Sequence, residues 1–259
     1  QLNNALSLNV MQPGEVAATA GTSGVIYGVS DQMEYDRQSR INSFAHVNHQ
    51  ADLNRIGVLL CINGSGIFNR WVKNLIGGNR TYSELNNAAA NIKPGSNNLL
   101  ALPFGNGAER MLNNRQVGAH FKNLDFNIHT DAHLVRAAQE GIAFAFRLGL
   151  DIMRENGMNP TIIRAGKANL FLSDVFTRSF ANTAQVAIEF YKGDGSYGAA
   201  IGAGIGAGIF KNTKEAFSNR KPDEVIEPEK YNNYEELYAD WKELLNEKTG
   251  AITEQVNIL

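Results

Sequence analysis

The stretch Val16-Ala-Ala-Thr-Ala-Gly-Thr-Ser-Gly-Val-Ile-Tyr-Gly-Val-Ser30 decides how the rest of the chain is read. Two β-prone runs, Val16 to Ala20 and Val25 to Val29, flank Gly21-Thr22-Ser23-Gly24, and a short glycine-bounded link between such runs predicts a hairpin. Glycines at both ends let the backbone approach a ligand closely, and the hydroxyls of Thr22 and Ser23 add donors suited to phosphate oxygens. On these four residues alone two readings stand: a phosphate-binding turn, and an ordinary hairpin with a polar tip.

Outward from the hairpin, strands alternate with helices. On the N-terminal side, Gln1 to Val10 reads as a helix ending before the turn Gln12-Pro13-Gly14. On the other, Ser43 to Asn48 and Arg55 to Ile62 read as strands, the second so continuously apolar that a central place in the sheet is expected. Asn63-Gly64-Ser65-Gly66 then leads into a helix whose apolar face is Ile67, Phe68, Trp71, Val72 and Leu75, stopped by Gly77-Gly78. The same succession recurs as a strand at Thr161 to Ala165, a turn at Gly166 and a helix from Asn169 to Phe180. Such units belong to α/β folds, whose ligand crevices open at strand ends.

A short helix at Tyr82 to Ile92 and a strand at Asn98 to Phe104 are expected between the two units. The longest helix is expected over Thr130 to Arg154, its apolar residues recurring from Leu134 to Met153 at helical spacing, so that it crosses the core. A strand at Val186 to Tyr191 precedes a helical segment, Tyr197 to Ile209, in which Gly198, Gly202, Gly204, Gly206 and Gly208 recur. Each such glycine costs about 1 kcal/mol against alanine, which calls for close packing against a neighbouring element. After Lys211 the composition turns charged, and Tyr231, Tyr234, Leu237, Tyr238, Trp241, Leu244 and Leu245 form a stripe expected to pack a C-terminal helix on the main body.

With 259 residues, 43% hydrophobic and 19% charged, the chain has material for one large domain or two small ones. A net charge of -2 and a pI near 6.3 argue against nucleic acid or anionic lipid as a main partner. Cys61, the one cysteine, rules out an internal disulfide, suits a reducing cytoplasm and is expected to be buried. No run is long and apolar enough to span a membrane. His129 and His133 have metal-ligand spacing without a third ligand, so no metal site is expected. No glycine-rich turn continues into the Lys-Ser or Lys-Thr of a P-loop, and neither His120 nor Ser173 with Asp174 has the context of a hydrolase triad. The chain opens on Gln1-Leu2-Asn3-Asn4 rather than Met and reads as a fragment.

Five runs in fixed order carry a resemblance. They are Gly21-Thr22-Ser23-Gly24; Gly107-Ala108-Glu109-Arg110; Gly118 with His133-Leu134-Val135-Arg136-Ala137 and Glu140-Gly141; Ala165-Gly166-Lys167-Ala168-Asn169; and Gly195-Ser196-Tyr197-Gly198-Ala199-Ala200. From Gln1 to about Phe217 the chain resembles the C-terminal half of the FGGY carbohydrate kinases. The resemblance implies an α/β, actin-like ATPase domain of ribonuclease-H-like type, a mixed sheet flanked by helices, over residues 1–217, with residues 218–259 a charged helical tail packed on it. It implies ATP and Mg2+ as cofactors, cytoplasmic location, a nucleotide and a sugar as ligands, and a missing N-terminal kinase domain as partner. It leaves a homodimer open. The expected reaction of the whole enzyme is phosphorylation of a ketopentose, D-xylulose first, with ribulose, gluconate or glycerol as alternatives, and a non-catalytic nucleotide-binding module as the reading from another class.

By the same resemblance Gly21, Thr22 and Ser23 lie along the β- and γ-phosphates, Gly66 with Asn69 or Arg70 approaches the nucleoside, and Ala165, Gly166 and Asn169 form the adenosine loop, with Asn169 opening a helix. Glu109-Arg110 reads either as a structural ion pair or as charge lining the interdomain cleft, the second being preferred. The family's aspartate base falls, in register, immediately before Gln1, so no catalytic residue is expected in this chain and the chain alone is expected to be inactive. Two departures stand out: Ala165-Gly166 replaces the usual pair of glycines, and Lys122-Asn123-Leu124 replaces the usual Gly-Leu-Thr.

Overall fold

The computed structural model describes residues 2–33, 35–230 and 233–256, with side chains as far as residue 250. The hairpin forms as expected, β1 (Glu15–Ala20) antiparallel to β2 (Gly24–Ser30), with Ala20 opposite Gly24 at its closed end. Around it the sheet grows to seven strands with β3 (Asn42–Ala45), β4 (Ile56–Ile62), β7 (Ile162–Gly166), β8 (Ile188–Tyr191) and β9 (Glu224–Ile226), in the order β3-β4-β2-β1-β7-β8-β9. β1, β7 and β8 run parallel and the other pairs antiparallel, so the sheet is mixed. β5 (Leu100–Phe104) and β6 (Gly118–Lys122) pair apart from it as a two-stranded ribbon.

Alternation along the strands divides the core in two. Val16, Ala18 and Ala20 of β1 face the larger cluster, built with α2 (Gly66–Ile76), α3 (Tyr82–Ala90), α4 (Asp131–Glu155), α5 (Asp174–Ala184) and α8 (Tyr234–Val256). Ala17 faces the other side with Tyr27 and Val29, covered by Ala5 of α1 (Leu2–Ser7) and by Leu8 just past its end. There α6 (Gly195–Gly206) lies against α1, and α7 (Thr213–Ala216) follows it. The glycines of α6 explain the approach only in part. A side chain at Gly198 would strike the backbone oxygen of Asn3 at 1.9 Å and one at Gly202 would press on Leu6 at 3.2 Å, whereas Gly206 meets nothing; Gly208, past the helix end, has a left-handed backbone (φ 75°).

α4 crosses the middle of the domain, buried along most of its length from His133 to Met153. It approaches β5 so closely that a methyl at Gly141 would lie 2.1 Å from the oxygen of Ala101. At its N-terminal half Arg136 and Glu140 form a buried ion pair (2.8 Å). Glu140 also accepts from the amide of Gly95, and Arg136 donates to Tyr234 of α8. Tyr238, Trp241, Leu244 and Leu245 continue that buried stripe; Tyr231, counted with it from the sequence, lies outside the described residues. Among the described residues no helix is long and apolar enough to cross a membrane.

Four expectations need correction. β4 is second from the sheet edge rather than central, because β1 and β7 take the middle. Cys61 is exposed, since alternation turns Leu60 and Ile62 into the core and Cys61 away from it. Of the apolar face read on α2 only Phe68 and Val72 are buried, while Trp71 and Leu75 stand in solvent. The helix expected from Asn169 is two segments, a 3-10 turn over Asn169–Leu172 and α5 beginning at Asp174, with Asn169 itself left-handed (φ 56°).

His46 carries a pH dependence. Buried at 3% exposure, it shares a 2.6 Å hydrogen bond between Nδ1 and the Tyr27 hydroxyl, and its Nε2 lies 3.4 Å from the Met11 sulfur. Burial first of all, with the charge of Arg55 adding to it, pushes the imidazole down from 6.5 to about 4. The unfolded chain therefore takes up this proton at higher pH than the folded one. Stability is full above pH 6.5 and erodes as pH falls toward 4, by up to about 3 kcal/mol. Urea unfolding at pH 7 and 4.5 is expected to show the loss, and His46→Gln to flatten it. A slope of the same size in the variant would exclude His46 as its source. Asp36, held near 2 chiefly by its hydrogen bond from Arg40, loses its contribution only in the window below 3.8.

Candidate functional site

The hairpin tip and the start of α2 are bonded backbone to backbone. The oxygens of Gly21 and Thr22 accept from the amides of Gly66 (2.9 Å) and Ile67 (3.0 Å). Gly66 has to be glycine for this, because a Cβ there would lie 2.2 Å from the oxygen of Gly21. The bonds occupy the tip's carbonyls and leave its amides: among the described residues no backbone carbonyl accepts from Gly21, Thr22 or Ser23. A Cβ at Gly21 would meet nothing nearer than 3.7 Å, so the backbone there is open. Unoccupied amides over an open step suit an anion.

Beneath the tip the Gly64 turn is stapled by Glu109, whose buried carboxylate accepts from the amides of Asn63 (3.0 Å) and Gly64 (2.8 Å). Burial raises the Glu109 pKa, and those two amides oppose the rise. Glu109 is thus a structural clasp rather than a charge lining a cleft. Arg110 turns away from it, donating to the oxygen of Ser39 and to Asn42 Oδ1.

A cleft of about 870 Å³, counting its open part, runs from the tip. It is lined by Ala20, Gly21 and Thr22 of the hairpin, Gly66, Asn69 and Arg70 of α2, Tyr82 and Asn86 of α3, and Asn169, Leu170, Leu172 and Ser173 ahead of α5. Arg70 is the one charged side chain among these lining residues, and none of them is a carboxylate. Of the residues singled out from the sequence, Gly21, Thr22, Gly66, Asn69, Arg70 and Asn169 come together here; Ser23, Ala165 and Gly166 are not on the wall. Ala165 is fully buried in β7, between Ala18 of β1 and Phe190 of β8. Gly166 ends the strand, and a Cβ there would face the oxygen of Gly193 at 3.6 Å.

The sequence reading passed over Tyr82, Asn86, Leu170, Leu172 and Ser173. A signal existed for two of them, since Tyr82 and Asn86 stand four apart and share one face of α3. Behind the wall is a buried polar knot. Gln139 of α4, fully buried, donates to Asn86 Oδ1 (2.8 Å) and Asn69 Oδ1 (3.4 Å) and accepts from the Ser173 hydroxyl (2.6 Å).

A mixed sheet with helices on both faces and a cleft at its strand ends defines an actin-like ATPase architecture, the one shared by solved sugar kinases. The xylulose kinase of Rhodospirillum rubrum superposes with a TM-score of 0.83 at 24% identity, over 94% of this chain and 49% of that one. The glycerol kinase of Plasmodium falciparum, solved with ADP, gives 0.83 at 19% identity, over 96% and 50%. In sequence, the xylulose kinase of Staphylococcus epidermidis is 31% identical over 260 residues, 96% of this chain and 50% of the relative. The gluconokinase of Bacillus licheniformis is 31% identical over 150 residues, 54% of this chain and 28% of the relative. No protein-family profile matches the chain. The chain is homologous to the FGGY carbohydrate kinases, and it spans about half the length of the xylulose kinase relative from Staphylococcus epidermidis.

Proposed function

We propose that this chain is the C-terminal, ATP-binding half of a carbohydrate kinase that transfers the γ-phosphoryl group of ATP to a hydroxyl of a ketopentose, D-xylulose before other sugars. The observation that carries the reading is the hairpin tip, whose amides have no backbone acceptor among the described residues and whose Gly21 leaves an open step in a cleft that Arg70 also lines. Phosphoryl transfer is mainly positioning and charge stabilisation, and a tip of this kind supplies both to the phosphates. Tyr82, Leu170 and Leu172 give the other part of the cleft apolar surface for a nucleoside. The wall offers Mg2+ no carboxylate, so in this reading the cation is carried by the nucleotide's phosphates.

D-xylulose stands first because the resemblance to a xylulose kinase runs over nearly the whole chain, whereas the gluconokinase match covers 54% of it. Gluconate, ribulose and glycerol are the competing sugars. The general base and the sugar contacts come, in this reading, from parts of the kinase outside this chain. The non-catalytic alternative, a nucleotide-binding module, would share the tip and differ only in lacking those parts.

The test is a titration of the chain with MgADP or a nonhydrolysable ATP analogue followed by NMR. Saturable shifts at Thr22, Asn69 and Asn169 are expected, with a Kd on the order of 0.1 to 1 mM, about 4 to 5.5 kcal/mol. No D-xylulose-dependent ADP release is expected from the chain alone. Absence of saturation at millimolar nucleotide would end the ATP reading, and sugar-dependent turnover would end the division of labour between halves.

A further inference from the structure

Gln139 is a primary amide in the middle of a helix that crosses the core, at 0% exposure. Burial of such a group is costly unless its hydrogen bonds are made, and here three are. Each goes to a different element, and each partner lines the cleft: Asn69 on α2, Asn86 on α3, and Ser173 at the N-cap of α5. The direction of the bonds matters more than their number. The Ser173 hydroxyl donates to Gln139 Oε1, so the amide stands with its oxygen toward Ser173. Its NH2 group then meets the oxygens of both asparagines, and their own NH2 groups are left for the cleft.

We propose that Gln139 is a positioning residue that sets the hydrogen-bonding polarity of the cleft wall, holding Asn69 and Asn86 with their donors toward the ring of a bound purine nucleotide. This rests on the nucleotide reading above. A wall of two donors favours ring edges that carry acceptors. Hypoxanthine presents O6 where adenine presents its amino group, so the balance between the two bases reports which way the asparagines face. In Gln139→Glu the carboxylate only accepts, both asparagines turn their NH2 groups inward, and the wall becomes acceptor-rich.

The full chain is titrated with MgATP and MgITP, and the ratio Kd(ITP)/Kd(ATP) is read. In Gln139→Glu it is expected to rise by about tenfold or more, because a site that offers acceptors rejects a ligand lacking the matching donor. Asn86→Asp, which makes the same exchange at the wall itself, is expected to move the ratio in the same direction. Thermal unfolding of each variant checks that it is folded. A ratio that stays within about twofold of wild type in folded Gln139→Glu overturns the role of Gln139, whether or not Asn86→Asp moves it. Should Gln139→Glu not fold, Gln139→Met is read instead. It is apolar and close in length, and is expected to weaken both nucleotides by about threefold or more, wild-type affinity overturning the proposal. A wild-type chain that binds neither nucleotide overturns the nucleotide reading and this one with it, whereas binding with an unmoved ratio overturns this one alone.

Discussion

Replacing Trp241 with Ala is expected to lower the unfolding free energy by about 4 kcal/mol, within the range for truncating a buried aromatic. The ring is fully buried, with Phe104, Phe144 and Tyr238 centred 5.9 to 6.0 Å away, so the site is closed on several sides by side chains that cannot collapse into the space. Its indole nitrogen also donates to the oxygen of Ala101 (2.9 Å), in a dry position where Gly141 already lets the α4 backbone come close. The loss combines a cavity with an orphaned carbonyl. Trp241→Phe fills most of the volume but omits the bond, and about 1 to 2 kcal/mol is expected. Chemical denaturation of both variants measures the two parts. A cost below about 1 kcal/mol for Trp241→Ala would mean that α8 contributes little to holding β5 on α4.

The second large effect separates two glycines that look alike in the sequence. Gly66→Val places a side chain where even a Cβ would lie 2.2 Å from the oxygen of Gly21. It must break the two bonds between the tip and α2, so a loss of about 1 to 3 kcal/mol is expected, together with loss of detectable nucleotide binding. Gly21→Val meets open space at a φ that other residues adopt, so stability is expected within about 0.5 kcal/mol of wild type. Its side chain enters the cleft beside Asn169 Nδ2 instead, 3.9 Å from the Cβ, and nucleotide affinity is expected to fall about tenfold or more. Thermal unfolding and NMR titration on both variants read the contrast. Equal destabilisation by the two substitutions would show that the tip is not built as described.

The reach of the sequence can be judged on particular residues. The hairpin, α2 with its Gly77 stop and the long α4 were legible because each is a local pattern: a glycine-bounded link, or apolar residues at helical spacing closed by a stop signal. Strand β9, three residues among charges, and β6, half exposed, carry no such pattern and exist through their partners β8 and β5. Asn169 failed for a different reason. Its left-handed backbone opens a 3-10 turn over Asn169–Leu172, and the extended backbone of Ser173 (φ -97°, ψ 120°) separates that turn from α5, where composition alone would run one helix through.

In the site, the glycines and Asn169 were found by resemblance, and Asn86, Ser173 and Gln139 were missed. A buried glutamine on an apolar helix reads as a blemish in the periodicity until its three partners, 34 to 70 residues away, are seen to converge on it. Trp71 and Leu75 show the converse. They fit the apolar stripe of α2, but the neighbouring elements cover only Phe68 and Val72.

The placement of the two tryptophans gives the chain a built-in pair of optical reporters. Trp71 is 52% exposed and follows Arg70 on the helix whose first turn is tied to the hairpin tip, while Trp241 is 0% exposed in the aromatic nest under α8. Water-facing indole emits at longer wavelength and is quenched by acrylamide, whereas enclosed indole emits to the blue and is shielded. One emission spectrum therefore carries two signals that a quencher can separate: the red component follows events at the cleft, and the blue component vanishes only when the core comes apart.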